Sequence, residues 1–195
     1  MYRIIKKLIR TYYKIFYKIS IVNKEKLENA SGVVLSGNHT SNHDPVLIYT
    51  LFDKATRFIA KEELFKIPIL KNLLEKLEVI PVKRGSFDRA CIAAAVNGLK
   101  SGQNIGIFPE GTRSKSKDLK LGEGHSGVSL ISSRAGANVL TFAIIPKKHF
   151  RLFSEIKIVI GDEINVTSLR EEGYKHDQIT SEIMKSIENI IKKEI

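Results

Sequence analysis

The chain has 195 residues, enough for one ordinary domain. Hydrophobic residues at 43% against 27% charged exclude wholesale disorder. A single cysteine, Cys91, excludes a disulfide framework and a multi-cysteine metal cluster, and it fits a reducing compartment. The 32 basic against 21 acidic residues leave a formal charge of +11, which points to a polyanion or an anionic surface as partner.

Much of that excess sits at the start, where residues 1–26 hold eight basic residues against the single acid Glu25. No run of 18 apolar residues occurs, and the basics are spread along the segment, so neither a membrane span nor a signal peptide fits. Projected on a helix, Ile5, Leu8, Ile9, Tyr12, Phe16 and Ile19 share one side. Arg3, Lys7, Arg10, Lys14 and Lys18 share the other, with Lys6 at the margin. Such a helix suits the interface of an anionic membrane. It equally suits a helix packed on its own domain with a solvated charged face, and periodicity does not separate the two. No zinc-finger, RNP or helix-turn-helix pattern accompanies the charge, so nucleic acid is not an expected partner. The expected organisation is an amphipathic segment over 1–26 and one domain over 27–195.

Beyond a polar stretch from Asn23 to Ser31, short apolar runs alternate with helical spacing. Strands are expected at Gly32–Ser36, Arg57–Ala60, Val79–Val82, Asn104–Phe108, Val139–Ile145 and Ile156–Ile160. Helices are expected at Pro45–Phe52, Leu70–Leu77, Phe87–Leu99 and Val128–Arg134, with Asp44 a candidate N-cap and Gly102 and Gly136 candidate stops. A closing amphipathic helix over Asp177–Ile195 carries Ile179, Ile183, Ile187, Ile190 and Ile191 on one face. The alternation implies an α/β fold, a single mixed, largely parallel sheet flanked by helices.

In such sheets, chemistry gathers in loops beyond strand ends. Two loops are dense in polar residues: Gly37-Asn38-His39-Thr40-Ser41-Asn42-His43-Asp44-Pro45, and Phe108-Pro109-Glu110-Gly111-Thr112-Arg113-Ser114. If Asp44 accepts a hydrogen bond from one nitrogen of His39, the other becomes an outward-facing base. No GxSxG elbow supplies a nucleophile and Cys91 lies in an Ala-rich helical pattern, so a substrate hydroxyl is the economical nucleophile. The histidines show no ligand spacing, and no metal is expected. Arg113 offers a planar fork to phosphate oxygens, with Glu110 orienting it or a hydroxyl. Arg84 and Lys61, also near strand ends, are further candidates. Taken singly, each of these residues is equally an ordinary turn, cap or surface group.

Together the motifs resemble the glycerolipid acyltransferase family, in particular the bacterial 1-acyl-glycerol-3-phosphate acyltransferases. The NHxSxxD block stands as Asn38-His39-Thr40-Ser41-Asn42-His43-Asp44, and FPEGTRS is complete at Phe108–Ser114. The second block resembles Lys61–Pro68, leading through Ile80-Pro81-Val82 to Arg84. Three places depart from the family pattern: Asn138–Thr141 lacks the usual prolines, His125 stands where lysine is common, and Gly161-Asp162-Glu163-Ile164 lacks proline. The resemblance implies acyl transfer from an acyl-carrier-protein or coenzyme A thioester to lysophosphatidic acid, giving phosphatidic acid, without a cofactor. It assigns His39 as general base and Asp44 as its orienter. Arg84 and Arg113 hold phosphate, Glu110, Gly111 and Thr112 shape the pocket, and Asn38, Ser41 and Lys61 complete the substrate-binding set. It also implies peripheral or monotopic attachment at the cytoplasmic face of the cell membrane. Other acceptors (glycerol-3-phosphate, a lysophospholipid, a lyso-aminolipid) and a non-catalytic basic binding protein are the alternatives.

Overall fold

The computed structural model describes all residues but 1, 29, 52–54, 84–87, 115, 117 and 148–150, and the side chains of 2, 3 and 5 are likewise outside the description. Along the chain run α1 (Tyr2–Phe16), β1 (Lys18–Val22), α2 (Glu25–Glu28), β2 (Val34–Gly37), α3 (His43–Leu51) and β3 (Thr56–Lys61). A 3-10 turn (Glu62–Lys66) and α4 (Pro68–Lys76) lead to β4 (Ile80–Val82), α5 (Arg89–Lys100) and β5 (Asn104–Ile107). The chain closes with α6 (Gly127–Ala135), β6 (Val139–Pro146), β7 (Glu155–Ile164), α7 (Val166–Glu171) and α8 (His176–Glu194). The seven strands form one sheet in the order β1-β7-β6-β2-β5-β3-β4, parallel throughout except between β6 and β7. This is the mixed, largely parallel sheet that the strand–helix alternation implied.

Helices cover both faces of the sheet, as buried parallel strands require. On one face α1, α3 and Leu77, at the end of α4, pack over Leu35, Phe58 and Phe142. On the other, α5, α6 and α8 pack over Val34, Ile105 and Val139, with Ile179, Ile183 and Ile187 fully buried. The closing helix therefore docks through the face that its isoleucine spacing foretold.

The amino-terminal helix departs from expectation. It stops at Phe16, and Lys18–Val22 is an edge strand paired parallel with β7, Ile19 opposite Ile156 and Ile21 opposite Ile158. The run Ile19, Ile21, Val22 is β-branched with period two for its first pair, and sheet pairing outweighs the helical projection that placed Ile19 on a stripe. The inward face of α1 also differs: buried Lys6 and Tyr13, with half-buried Ile9 and Arg10, meet the domain. Ile4, Leu8, Tyr12 and Ile15 are instead exposed, at 65, 65, 40 and 60%. Asp44, expected as an N-cap, lies inside the first turn of α3, and the Ser41 hydroxyl accepts the His43 N–H at 3.2 Å.

Candidate active site

Strands β2 and β5 are parallel neighbours, Ser36 opposite Ile107, so the loops leaving their carboxyl ends share one edge of the sheet. The β2 loop is built around Asp44, which is fully buried. Its Oδ2 accepts the His39 Nδ1–H at 3.0 Å, the Thr40 N–H at 2.5 Å and the Ser41 N–H at 2.7 Å. The Thr40 hydroxyl donates to Oδ1 at 3.3 Å. A carboxylate in the first turn of a helix also faces the positive end of that helix. With Nδ1 donating, Nε2 of His39 carries the lone pair, and it makes no hydrogen bond among the described residues. The imidazole, 18% exposed, lies flat on Phe108, ring centroids 4.2 Å apart and planes within 15°. Phe58 stacks on the same phenyl ring at 5.8 Å, and Phe142 meets its edge at 6.2 Å. Glycine is required beneath these rings: a Cβ at Gly106 would sit 2.2 Å from Phe58, and one at Gly37 would sit 2.3 Å from Phe142.

The FPEGTRS loop clasps His39 from both sides of its backbone. The Glu110 Oε1 accepts the His39 N–H at 3.0 Å, while the Ser114 N–H donates to the His39 carbonyl at 2.7 Å. Glu110 is buried, and its second oxygen accepts the Gly122 N–H at 2.8 Å. Glu110 therefore braces the β2 and FPEGTRS loops from within. Gly111 takes a φ of +61° that suits glycine, and a Cβ there would sit 3.0 Å from the ring of His125. Thr112 and Arg113 are exposed beside this clasp, and neither side chain makes a hydrogen bond or ion pair among the described residues. A free guanidinium one residue from the group bonded to His39 is available to an anionic ligand.

Not every expected residue faces a ligand. The Asn38 amide is buried and spent on Ile144, donating to its carbonyl at 2.8 Å and accepting its N–H at 2.7 Å. It extends the β2–β6 ladder, and both ends of the buried amide are turned to the backbone of Ile144, away from the substrate role expected of it. Ser41 likewise uses its hydroxyl and backbone to begin α3. Lys61 is exposed at the end of β3 on the same sheet edge, with no hydrogen bond to either loop among the described residues. Arg84 lies outside the described residues. Cys91 is buried, and burial pushes its thiol up to about 11, which leaves no thiolate for nucleophilic work.

Sequence reasoning missed Phe108 as the platform for the imidazole, although it stood in the motif. It also missed the contact of α1 with the site. The Tyr13 hydroxyl donates to the His43 carbonyl at 3.3 Å and lies 3.1 Å from His43 Nδ1. Burial, reinforced by Tyr17, Tyr12 and Asp44 nearby, raises the Tyr13 phenol far above its ordinary range and keeps the proton for that contact. Arg10 Nε donates to the Thr50 carbonyl at 3.0 Å, and Lys6 stands 5.3 Å over the Tyr49 ring. A tyrosine recurring three residues after an arginine carries no apolar periodicity, so no sequence signal marked this inner face.

Residues 18–145 match the profile of a protein family described as Acyltransferase. A 1-acyl-sn-glycerol-3-phosphate acyltransferase of Borreliella burgdorferi is 28% identical over 186 residues, spanning 89% of this chain and 73% of the relative. One of Bacillus subtilis is 29% identical over 151 residues, 75% of this chain and 74% of the relative. A chloroplastic relative of Arabidopsis thaliana, LPAT1, is 35% identical over 137 residues, 67% of this chain and 36% of its own length. The fold matches the crystal structure of the 1-acyl-sn-glycerophosphate (LPA) acyltransferase PlsC of Thermotoga maritima with a TM-score of 0.75 at 20% identity, over 98% of this chain and 79% of that one. With the profile covering the sheet from β1 to β6 and both clasped motif loops, the chain belongs to the acyltransferase family and is an O-acyltransferase.

Proposed function

We propose that this enzyme moves a fatty acyl group from an acyl-carrier-protein or coenzyme A thioester to the free hydroxyl of 1-acyl-glycerol-3-phosphate, giving phosphatidic acid. The clasp of the FPEGTRS loop around the backbone of His39 supports the reading, because it ties the loop that carries the exposed Arg113 to the residue whose imidazole Asp44 orients. The names of the Borreliella burgdorferi and Bacillus subtilis relatives support the choice of acceptor.

In this mechanism Nε2 of His39 takes the proton as the acceptor hydroxyl attacks the thioester carbonyl, and Asp44 stabilises the imidazolium that forms. Gly111 has already spent its N–H on the Phe108 carbonyl at 3.0 Å, and backbone amides beside it, those of Thr112 and Arg113, serve as donors to the oxyanion. The tetrahedral intermediate collapses, the C–S bond breaks, and the imidazolium returns its proton to the departing thiolate. Arg113 pairs with the acceptor phosphate, with Arg84 as its second contact. No covalent acyl-enzyme is needed, since alignment of two bound substrates supplies much of the acceleration.

The lipid acceptor keeps its tail in a bilayer, and the exposed Ile4, Leu8, Tyr12 and Ile15, flanked by Lys7 and Lys14, suit α1 to an anionic cytoplasmic leaflet. No helix among the described residues is long and apolar enough to cross a membrane. Purified protein incubated with a panel of thioesters and lysolipids, its products identified by mass, tests the assignment. Phosphatidic acid formed by the wild type and lost in His39→Ala is the expected result. Transfer to glycerol-3-phosphate or a lyso-aminolipid in preference would replace the acceptor, and unchanged turnover by His39→Ala would remove the base.

A further inference from the structure

The 3-10 turn and α4 form an apolar excursion that hides its side chains only in part, with Leu64, Phe65, Leu70 and Leu74 half-buried. None of the residues of Glu62–Lys66 or Pro68–Lys76 is buried, although the segment carries Phe65, Ile69, Leu70, Leu73 and Leu74. Ile69 is 87% exposed, Ile67 51% and Leu73 39%. A helix packed on its own domain hides an apolar stripe, as α5 and α8 do here. On α4 Leu70 and Leu74 turn partly inward, while Ile69 and Leu73, one turn apart with Lys76 at their margin, face outward.

The position of this patch suggests its occupant. Leu77, immediately after α4, is buried in the same core layer as Tyr13, Tyr17 and Leu47, so the excursion hangs from the sheet face that α1 and α3 cover. Its 3-10 turn packs on β3 and β4, at one margin of the sheet, while α1 reaches β1 at the other. Helix α3, with Asp44 in its first turn, lies against α1 on that same face. Two outward apolar patches at opposite margins of one face fit a broad, flat partner. Lys7 and Lys14 flank the patch on α1, and along α4 Lys66, Lys71 and Lys76 alternate with Glu62, Glu63 and Glu75, Lys71 paired with Glu75 at 3.7 Å. The positive charge of α1 and the +11 of the whole chain favour a negative surface and repel a second copy.

We propose that Ile67, Ile69 and Leu73 are a second foothold on an anionic bilayer, which with the outer face of α1 fixes the tilt of the enzyme so that the α3 loop meets the lipid surface. The inference rests on the reading that α1 lies in the bilayer, and its test separates the two. The chain contains no tryptophan, so Ile69→Trp and Leu8→Trp each create a unique fluorescent reporter at an exposed site. Each full-length variant is mixed with phosphatidylglycerol–phosphatidylcholine vesicles, with and without chain-brominated lipid. Both emissions should shift to the blue and be quenched by bromine. An unquenched reporter at position 69 beside a quenched one at position 8 overturns the second foothold and leaves α1 standing; two unquenched reporters overturn both. A blue shift at position 69 that grows with protein concentration and without vesicles assigns the patch to a second copy and also overturns the proposal. The double variant Ile69→Asp, Leu73→Asp should bind the same vesicles about tenfold more weakly while turning over a short-chain, water-soluble acceptor at the wild-type rate. Undiminished vesicle binding by this variant counts against the foothold.

Discussion

Asp44 does two jobs that can be pulled apart by the choice of replacement. All three strong donors, His39 Nδ1–H, Thr40 N–H and Ser41 N–H, converge on one oxygen, Oδ2. Asn can place its carbonyl oxygen there and keep every bond, while its NH2 faces the Thr40 hydroxyl, which accepts as readily as it donates. Asp44→Asn thus removes charge and little else, at about 1 kcal/mol, the difference between charged and neutral hydrogen bonds. Asp44→Ala strands the donors. A fully unsatisfied buried donor costs about 1–3 kcal/mol, and because Thr40, Ser41 and His39 keep some access to water the total is about 3–4 kcal/mol. At roughly 2–4 °C per kcal/mol for a domain of this size, Tm should fall by about 6–15 °C for Ala and by no more than about 4 °C for Asn. Against a total stability of about 5–15 kcal/mol, Asp44→Asn remains folded at assay temperature, so any loss of turnover is chemical. Without the negative charge the imidazolium loses its counter-ion, and kcat should drop about 10²–10⁴-fold. Calorimetry and steady-state kinetics on the two variants are the assays. If Asp44→Asn kept more than about a tenth of wild-type kcat while His39→Ala was dead, the carboxylate would be a loop brace alone and the His–Asp reasoning would fail.

Arg113→Ala should raise KM for the phosphorylated acceptor by roughly 10- to 100-fold, the worth of a charge-assisted pair, with KM for the thioester almost unchanged; the reverse split would misplace the phosphate. Gly106→Ala pushes a methyl into the Phe58 ring and should cost about 1–3 kcal/mol, seen as a lower Tm in thermal unfolding. Phe108→Leu removes the face on which the imidazole lies and should lower kcat by up to about tenfold at constant KM, since such a stack is worth about 0.5–1.5 kcal/mol. Tyr13→Phe keeps the packing but loses the bond to His43; turnover of a water-soluble acceptor should fall several-fold with vesicle binding unchanged, and an unaltered rate would show the contact to be idle.

What the sequence disclosed and what it hid divide along a physical line. Buried strands and the closing helix announce themselves because every residue facing a core must be apolar: Val34 and Leu35, or Ile179, Ile183 and Ile187, leave a period that reads directly. The His39–Asp44 pair and FPEGTRS were legible through residue type and spacing, yet their internal division of labour was not. Asn38 and Glu110 sit in the motifs beside His39 and look like ligand groups. Only the fold shows that each has both ends committed to backbone, Asn38 to Ile144 and Glu110 to His39 and Gly122. Polar side chains satisfied by backbone leave no periodic trace, because a backbone amide is the same at every position. Strand β1 was hidden for a related reason: five residues at a sheet edge, Lys18–Val22, bury too little to outvote the helical pattern before them.

The inner face of α1 ties the helix to the turn that carries Asp44. Running against α3, the helix reaches both of its ends: Arg10 donates to the Thr50 carbonyl, among the last carbonyls of α3, where a cation also meets the negative end of the helix, and Tyr13 donates to the carbonyl of His43 at the start. The turn that holds Asp44 is therefore fastened from outside by a segment whose other face is greasy and exposed. Truncating α1 removes both functions at once, so a loss of activity on truncation says nothing about the bilayer. The two faces separate only by substitution. Leu8 and Ile15 touch lipid alone in this scheme, and changing them should alter partition without touching the geometry of His39. Arg10 and Tyr13 bond to α3, and changing them should slow chemistry even on an acceptor that never enters a membrane. A helix that merely tethered the domain would need no hydrogen bond to the catalytic loop, and α1 makes one at each end of the element that carries it.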